Sequence, residues 1–397
     1  MAALTHSRAH VRRLAGVFAI ALAMCTLGLQ GVGAPGEGTR DAKSTQPGDK
    51  VAFARGDIWV LTPGATAPQR VTSSGNGRSP AWSPDGRRLA CLSNRKLWVM
   101  DTVTNERTCL YAGTDASGPT WSPDGNTIVF GRFPEVGETQ TGTGTEEGIW
   151  AADRGGANLR RLLSYAAPDA APSVRDELWA EWQPHLLDNF AFSPDGRLLA
   201  FAYEGESSVL FVATLDPASS PARAQVIARC EVTATDYCWL GNSQHLLVAD
   251  GGAEGYVGSG LNVVQAATGK GEVLLPHPYG IYRVAYSASA HTAAVNWPDG
   301  DAYTDEPAWT RDDVCLVEML DGRVRSGPDS EGWSSGIVAA ARFAGQHVVD
   351  LQLAHGAQTA YVLAEDGSRV LYRVTRGGST TVLGDGVRDF AVWSPAD

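Results

Sequence analysis

The stretch AWSPDGRRLACLS (residues 81–93) returns twice with small changes, as TWSPDGNTIVFG (120–131) and AFSPDGRLLAFAY (191–203). In each copy a short apolar run ends in an aromatic residue: Trp82, Trp121 or Phe192. Ser-Pro-Asp-Gly follows, then a second apolar run. Proline presets φ for a type I turn, aspartate tolerates the next position, and glycine accepts positive φ. The serine and aspartate side chains can bond the turn's own N–H groups. The unit therefore reads as a β-hairpin.

Two further apolar runs complete the unit as a four-stranded sheet: KLWVMD (96–101) and RTCLY (107–111) in the first copy. Weaker copies occur at CWLGNSQHLLVADGG (238–252), AYSASAHTAAVNW (285–297) and ARFAGQHVVDLQLA (341–354). They add Trp239, Tyr286 and Phe343 as anchors of first strands. Four-stranded units at a period of roughly 40–50 residues are the signature of a β-propeller, in which each blade buries its faces against its neighbours.

The ends of the chain fit this reading. KVAFARGDIWVLTPG (50–64) and QRVTSSG (69–75) supply second, third and fourth strands with no first. DFAVWSPAD (389–397) supplies a first strand with nothing after it. Pairing residues 389–393 with 50–54 would complete one blade and hide two sheet edges. The predicted fold is all-β, a propeller of seven four-stranded blades closed by its terminal strands. The extra strand's worth of sequence at STTVLGDG (379–386) keeps six or eight blades as alternatives. The domain plan is a signal peptide over 1–34, a flexible linker over 35–49 and the propeller over 50–397.

The repeat resembles that of TolB-type propellers, over most of residues 50–397, without the α/β domain that precedes the ring in TolB. The resemblance implies an exported propeller of that broad class, often a protein-binding platform. It does not imply TolB's own role.

Composition agrees. The 397 residues include 45 glycines and 21 prolines, as many short strands and tight turns require. The formal net charge of −12 argues against nucleic acid or an anionic membrane surface as partner. MAALTHSRAHVRRLAG carries Arg8, Arg12 and Arg13 and no acid, and VFAIALAMCTLGLQGVGA follows as a short apolar core ending in small residues. This is the order of an export signal. The apolar run, broken by Thr26 and Gly28, is short for an anchor, so no membrane span is expected after its removal. Cys25 raises lipidation as the minority alternative, because Met24 stands where a lipobox has a small residue. A periplasmic or extracellular monomer is expected. Of the six cysteines, Cys91, Cys109, Cys230, Cys238 and Cys315 lie beyond the signal. Cys230 and Cys238 flank one connection and could pair. Buried free thiols are the alternative.

In such a ring the first-to-second and third-to-fourth turns share one face. The second-to-third and blade-to-blade connections share the other. The long connections at 132–148, 164–188, 251–260, 298–313 and 327–336 are all assigned to this second face. Trp179, Trp182, Trp297, Trp309 and Trp333, of 12 tryptophans, fall in or beside them. Long loops on a rigid scaffold commonly carry binding, and tryptophan is enriched in hot spots. The candidate binding residues are Trp179, Trp182, Tyr303, Asp305, Glu306, Trp309 and Trp333.

Three stretches of the sequence carry possible chemistry. GWSSG (332–336) fits the G-x-S-x-G nucleophile elbow of enzymes that pair a propeller with a hydrolase domain. RSGPDSE precedes it, however, and strand patterns follow, so Ser334 lacks the required strand–turn–helix setting. Asp299, Asp301, Asp305 and Glu306 could attract calcium, but their spacing matches no EF-hand, and a solvated acidic loop is the simpler reading. His245, His291 and His347 begin equivalent second strands, so repetition explains them, and His185 and His277 show no metal-ligand spacing. No catalytic residue, metal or cofactor is assigned. The function expected is an exported, non-enzymatic platform that binds a protein or cell-envelope component through its loop-rich face. The alternatives are a carbohydrate-active propeller, binding or cleaving a glycan, and a remnant of a prolyl-oligopeptidase-type enzyme.

Overall fold

A computed structural model describes residues 48–113, 116–132, 148–164, 169–171, 187–203, 209–216, 223–251, 260–277, 280–299, 311–320, 323–326, 339–344 and 346–395. They form a seven-bladed β-propeller of antiparallel sheets. Blade 1 joins β29 (Phe390–Trp393) to β1 (Lys50–Arg55), β2 (Asp57–Leu61) and β3 (Gln69–Arg70). Blade 2 holds β4 (Arg78–Trp82), β5 (Arg88–Ser93), β6 (Lys96–Asp101) and β7 (Arg107–Tyr111). Blade 3 holds β8 (Thr120–Trp121), β9 (Thr127–Arg132), β10 (Gly148–Asp153) and β11 (Arg160–Ser164). Blade 4 holds β12 (Leu187–Phe192), β13 (Leu198–Tyr203), β14 (Val209–Asp216) and β15 (Arg223–Thr233). Blade 5 holds β16 (Asp236–Trp239), β17 (His245–Asp250), β18 (Gly260–Gln265) and β19 (Gly271–Pro276). Blade 6 holds β20 (Val284–Ser287), β21 (Thr292–Asp299), β22 (Arg311–Leu320), β23 (Arg323–Ser326) and β24 (Ala339–Ala344). Blade 7 holds β25 (His347–Leu353), β26 (Thr359–Asp366), β27 (Ser368–Thr375) and β28 (Thr380–Asp385).

Seven apolar clusters lie one at each interface between neighbouring blades. The cluster between blades 7 and 1, for example, packs Tyr361, Leu363 and Leu371 against Val51, Phe53 and Phe390. Strand alternation sends successive residues to opposite faces of a blade, and both faces meet a neighbour. The second strands therefore read as continuous apolar runs such as RLACLS and TIVFGR.

The quoted turns behave as their chemistry requires. Ser83 is buried; its Oγ donates to Asp85 Oδ1 at 2.5 Å and accepts from Arg88 N at 2.8 Å. Asp85 Oδ1 also accepts from Arg87 N at 2.9 Å. Ser122 with Asp124 and Ser193 with Asp195 repeat this arrangement. The serine hydroxyl is the largest cause holding the Asp124 and Asp195 carboxyls below the ordinary range. Burial raises that of Asp85, but the Ser83 hydroxyl and the Arg87 N–H outweigh it.

The ring closes as the sequence predicts: Lys50 pairs with Trp393, Val51 with Val392, Ala52 with Ala391 and Phe53 with Phe390. At this closure the repeat's turn is rebuilt across the break in the chain. Ser394 Oγ donates to Asp49 Oδ1 at 2.7 Å, as Ser83 does to Asp85. Asp49 Oδ2 accepts from the Tyr361 hydroxyl at 2.9 Å. Asp49 is 5 % exposed, so it belongs to the ring and not to the linker in which the sequence reading places it. Lys50 donates to the Gly86 carbonyl at 2.7 Å and lies over the rings of Trp82 and Trp393.

Two sequence assignments are corrected in blades 6 and 7. Phe343 does not anchor a first strand. It sits in β24, which pairs with one half of β22 while β23 pairs with the other half. Both run in the same direction along the same edge, so β23 and β24 are two pieces of one outer strand. Phe343 packs edge-on against Tyr372 of blade 7. The first strand of blade 7 is β25, in which Leu353 takes the place of the aromatic anchor and a 3-10 turn at His355–Ala357 replaces Ser-Pro-Asp-Gly. His347 accordingly begins a first strand, unlike His245 and His291. STTVLGDG supplies the fourth strand of blade 7, which accounts for the apparent surplus.

Candidate functional site

Every first strand runs from the face of the second-to-third connections toward the face of the tight turns. The ends bracketing residues 133–147, 172–186, 252–259 and 300–310 all open on the first of these faces. Residues 327–338 do not. They are bracketed by Ser326, opposite Glu318, and Ala339, opposite Cys315, midway along the outer edge of blade 6. The segment with Trp333 thus interrupts an outer strand instead of linking two blades. Trp297 lies in β21 and meets His277 edge-on at 4.0 Å. Trp179, Trp182, Tyr303, Asp305, Glu306, Trp309 and Trp333 lie outside the described residues, as do Asp301 and Ser334. Asp299 ends β21. Among the described residues no group of three His, Cys, Asp or Glu side chains could hold a metal.

What the described residues do show is a polar ring around the axis. The backbone bond that opens each tight turn fixes a common register: Ser83 N to Arg88 O, Ser193 N to Leu198 O, Leu240 N to His245 O and Ala354 N to Thr359 O. The pairing of Ser287 with Thr292 marks the same place in blade 6. Four residues before that point stand Ser79, Asn189, Asp236, Arg283 and Asp350. They share one level of the inner strands. Asp389, one residue out of step, reaches the same level: its Oδ2 accepts from Ser79 N at 3.1 Å.

This ring ties blades together. Asp236 accepts from Tyr237 N at 2.9 Å and from Val284 N of blade 6 at 3.0 Å. Arg283 donates to Thr235 O of blade 5 at 3.1 Å and to Val349 O of blade 7. Asp350 accepts from Leu351 N at 2.7 Å. Indole N–H groups make a second set of ties: Trp82 to Ala391 O, Trp121 to Ala81 O and Trp239 to Ala191 O.

The carboxylates are strained electrostatically. Burial pushes Asp236 up to about 6 against the pull of Arg283. Burial does the same for Asp350, with the charge of Asp236 adding to it and Arg283 opposing. Asp389 also stands at about 6, raised by burial and by Asp350, and lowered by the Ser79 N–H, Arg388 and Arg78. Each keeps part of its surface accessible although protein surrounds it, a combination expected of side chains that line a narrow axial channel. The sequence reading missed the ring because its members differ in chemistry. The signal that could have found it is positional, a polar residue four places before the tight turn in blades 2, 4, 5, 6 and 7.

Among the described residues Cys91, Cys109, Cys230, Cys238 and Cys315 form no disulfide, so Cys230 and Cys238 are not paired with each other. Burial pushes the Cys91 thiol up to about 12. Among the described residues no helix is long and apolar enough to cross a membrane.

Fold and inner ring define the chain as a closed seven-bladed β-propeller. The family model for the lipoprotein LpqB β-propeller domain matches residues 56–269, more than half of the chain, and the chain belongs to that family. No curated protein matches it. Its fold is similar to a chain in the crystal structure of the mitotic checkpoint complex: TM-score 0.51, 11 % identity, 93 % of this chain and 90 % of that one covered. It is also similar to a chain of the hydrazine synthase of Kuenenia stuttgartiensis, with TM-score 0.50 and 14 % identity over 82 % of this chain and 88 % of that one. TolB of Agrobacterium tumefaciens, itself described as putative, matches at TM-score 0.42 and 16 % identity over 70 % of this chain and 87 % of its own.

Proposed function

We propose that the chain is an exported, non-catalytic propeller that presents its loop-bearing face to a protein or another component of the cell envelope. The observation that carries this reading is the asymmetry of the ring. Ser-Pro-Asp-Gly turns, self-satisfied by their own side chains, close one face, while five connections of eight residues or more open on the other. A rigid ring presents side chains at small ordering cost. The lipoprotein description of the family supports an envelope setting, and the export-type leader agrees with it. Trp179, Trp182 and Trp309, with Tyr303, Asp305 and Glu306, are the proposed contacts, and the acids favour a neutral or basic partner. Trp333, in the stretch between the ends of β23 and β24, remains a proposed contact apart from that group. The glycan-lyase alternative calls for a cluster of histidine, arginine and lysine at the axis. The described axial level carries Arg283 with Ser79, Asn189, Asp236, Asp350 and Asp389.

The test is affinity capture from envelope extract, followed by titration of the identified partner against variants. Trp179→Ala, Trp182→Ala or Trp309→Ala should weaken binding by about 2 kcal/mol or more. Asn126→Ala and Arg197→Ala, on the tight-turn face, should change nothing. Sensitivity of the second pair with indifference of the tryptophans would overturn the choice of face.

A further inference from the structure

Four charged groups of the inner ring come from four blades, and three of them bond the backbone of a neighbouring blade. Asp236 of blade 5 binds the backbone of blade 6, Arg283 of blade 6 binds the backbones of blades 5 and 7, and Asp389 of blade 1 binds the backbone of blade 2. Asp350 of blade 7 lies in the field of both other aspartates and of Arg283. The remaining charged groups facing the ring are Arg78 on β4 and Arg388 before β29, and the thiols of Cys238 and Cys91 feel Asp236 and Asp389. Asp236 and Asp350 thus share Arg283, while Asp389 has Arg388 and Arg78. Asp389 Oδ1 has no hydrogen-bond partner. Like charges held close in low dielectric repel, and a proton taken up by one relieves the others.

We propose that Asp236, Arg283, Asp350 and Asp389 form a proton-controlled clamp, which draws the inner strands of blades 5, 6, 7, 1 and 2 together more firmly after taking up protons in mildly acidic surroundings. The direction follows from linkage. Above about pH 6 these carboxyls are ionised both folded and unfolded, and the folded ring bears the cost of burying their charge, with repulsion of Asp350 by Asp236 and of Asp389 by Asp350 added to it. Between about 6 and the ordinary aspartate value the folded state holds more protons than the unfolded chain. Stability therefore rises as pH falls through that window. The turn aspartates, whose carboxyls lie below the ordinary range, begin to withdraw stability only below it. The clamp is thus an acid-strengthened element within a fold that strong acid weakens. It is independent of what the loop-bearing face binds.

Thermal unfolding of the full chain at constant ionic strength should show the midpoint rising by about 3 °C from pH 7.5 to pH 5.0, with coupling among the groups taken into account. Asp350→Asn and Asp389→Asn each keep an oxygen for the observed backbone donor and remove a charge. Each should raise the midpoint at pH 7.5 and flatten the rise toward pH 5.0. Should either variant fail to fold, refolding of the wild-type chain in lightly buffered solution at pH 6 supplies the second readout, a net uptake of about one proton or more. A midpoint that stays flat or falls over this range, a slope unchanged in the variants, or refolding without proton uptake overturns the clamp.

Discussion

Asp49→Ala is the sharpest test of how the ring is held shut. The carboxylate accepts from Ser394 at 2.7 Å and from Tyr361 at 2.9 Å, and it is 5 % exposed. Removing it leaves the Tyr361 hydroxyl, on a residue with 0 % exposure, without its acceptor. An orphaned buried donor costs about 1–3 kcal/mol, and hydrogen bonds to a charged group contribute about 1.5–3 kcal/mol each. Ser394 is half-buried and can turn to water, and the mutant no longer holds a desolvated charge. The net expectation is a loss of about 3 kcal/mol, or a fall of roughly 4 °C in the unfolding midpoint of a ring this size. Asp49→Asn keeps one acceptor oxygen and should lose about half as much. The discriminating assay is a cycle with Tyr361→Phe, read by denaturant or calorimetric unfolding. The double variant Asp49→Ala/Tyr361→Phe should be more stable than Asp49→Ala alone, because it has no stranded hydroxyl. A loss below about 0.5 kcal/mol, within the range of ordinary surface substitutions, would refute the reasoning. So would a second mutation that only adds to the damage.

Ser83→Ala removes the hydroxyl that both donates to Asp85 and accepts from Arg88 N; a loss of about 1–2 kcal/mol is expected, and Ser83→Ala/Asp85→Ala should fall short of the sum of the single variants in the same unfolding assay. Titration of the protein with a thiol reagent in denaturant should find Cys91, Cys109, Cys230, Cys238 and Cys315 all reduced. In the native protein Cys91 and Cys238 should react slowly or not at all, since burial pushes both thiols up.

Much of this architecture was legible because a turn constrains sequence more tightly than a strand does. Ser-Pro-Asp-Gly satisfies its own polar groups, so three copies survive nearly unchanged, and the closure follows from the half-repeats at 50 and 389. The reading slipped where that signal vanished. Blade 7 has Leu353 for an aromatic anchor and a 3-10 turn for Ser-Pro-Asp-Gly, so the nearby Phe343 took the anchor's place. An aromatic residue is equally at home in an outer strand, and only backbone pairing distinguishes the two settings. The axial ring was illegible for another reason. Serine, asparagine, aspartate and arginine at one level share a position but no chemical type, and what makes them a site is convergence from separate blades.

The closure has a consequence for how this ring may be cut. Ser394 and Asp49 reproduce without a peptide bond the contact that Ser83 and Asp85 make with one, and Pro395 touches Gly48 closely enough that an added Cβ there would lie 2.8 Å from its ring. Backbone continuity at this corner is therefore a dispensable part of the turn. A permuted gene that splices residue 395 to residue 48 and opens the chain at Pro123–Asp124 or Pro194–Asp195 would encode the same seven sheets with the same registers. The polypeptide has a first residue; the ring it builds has no corresponding origin.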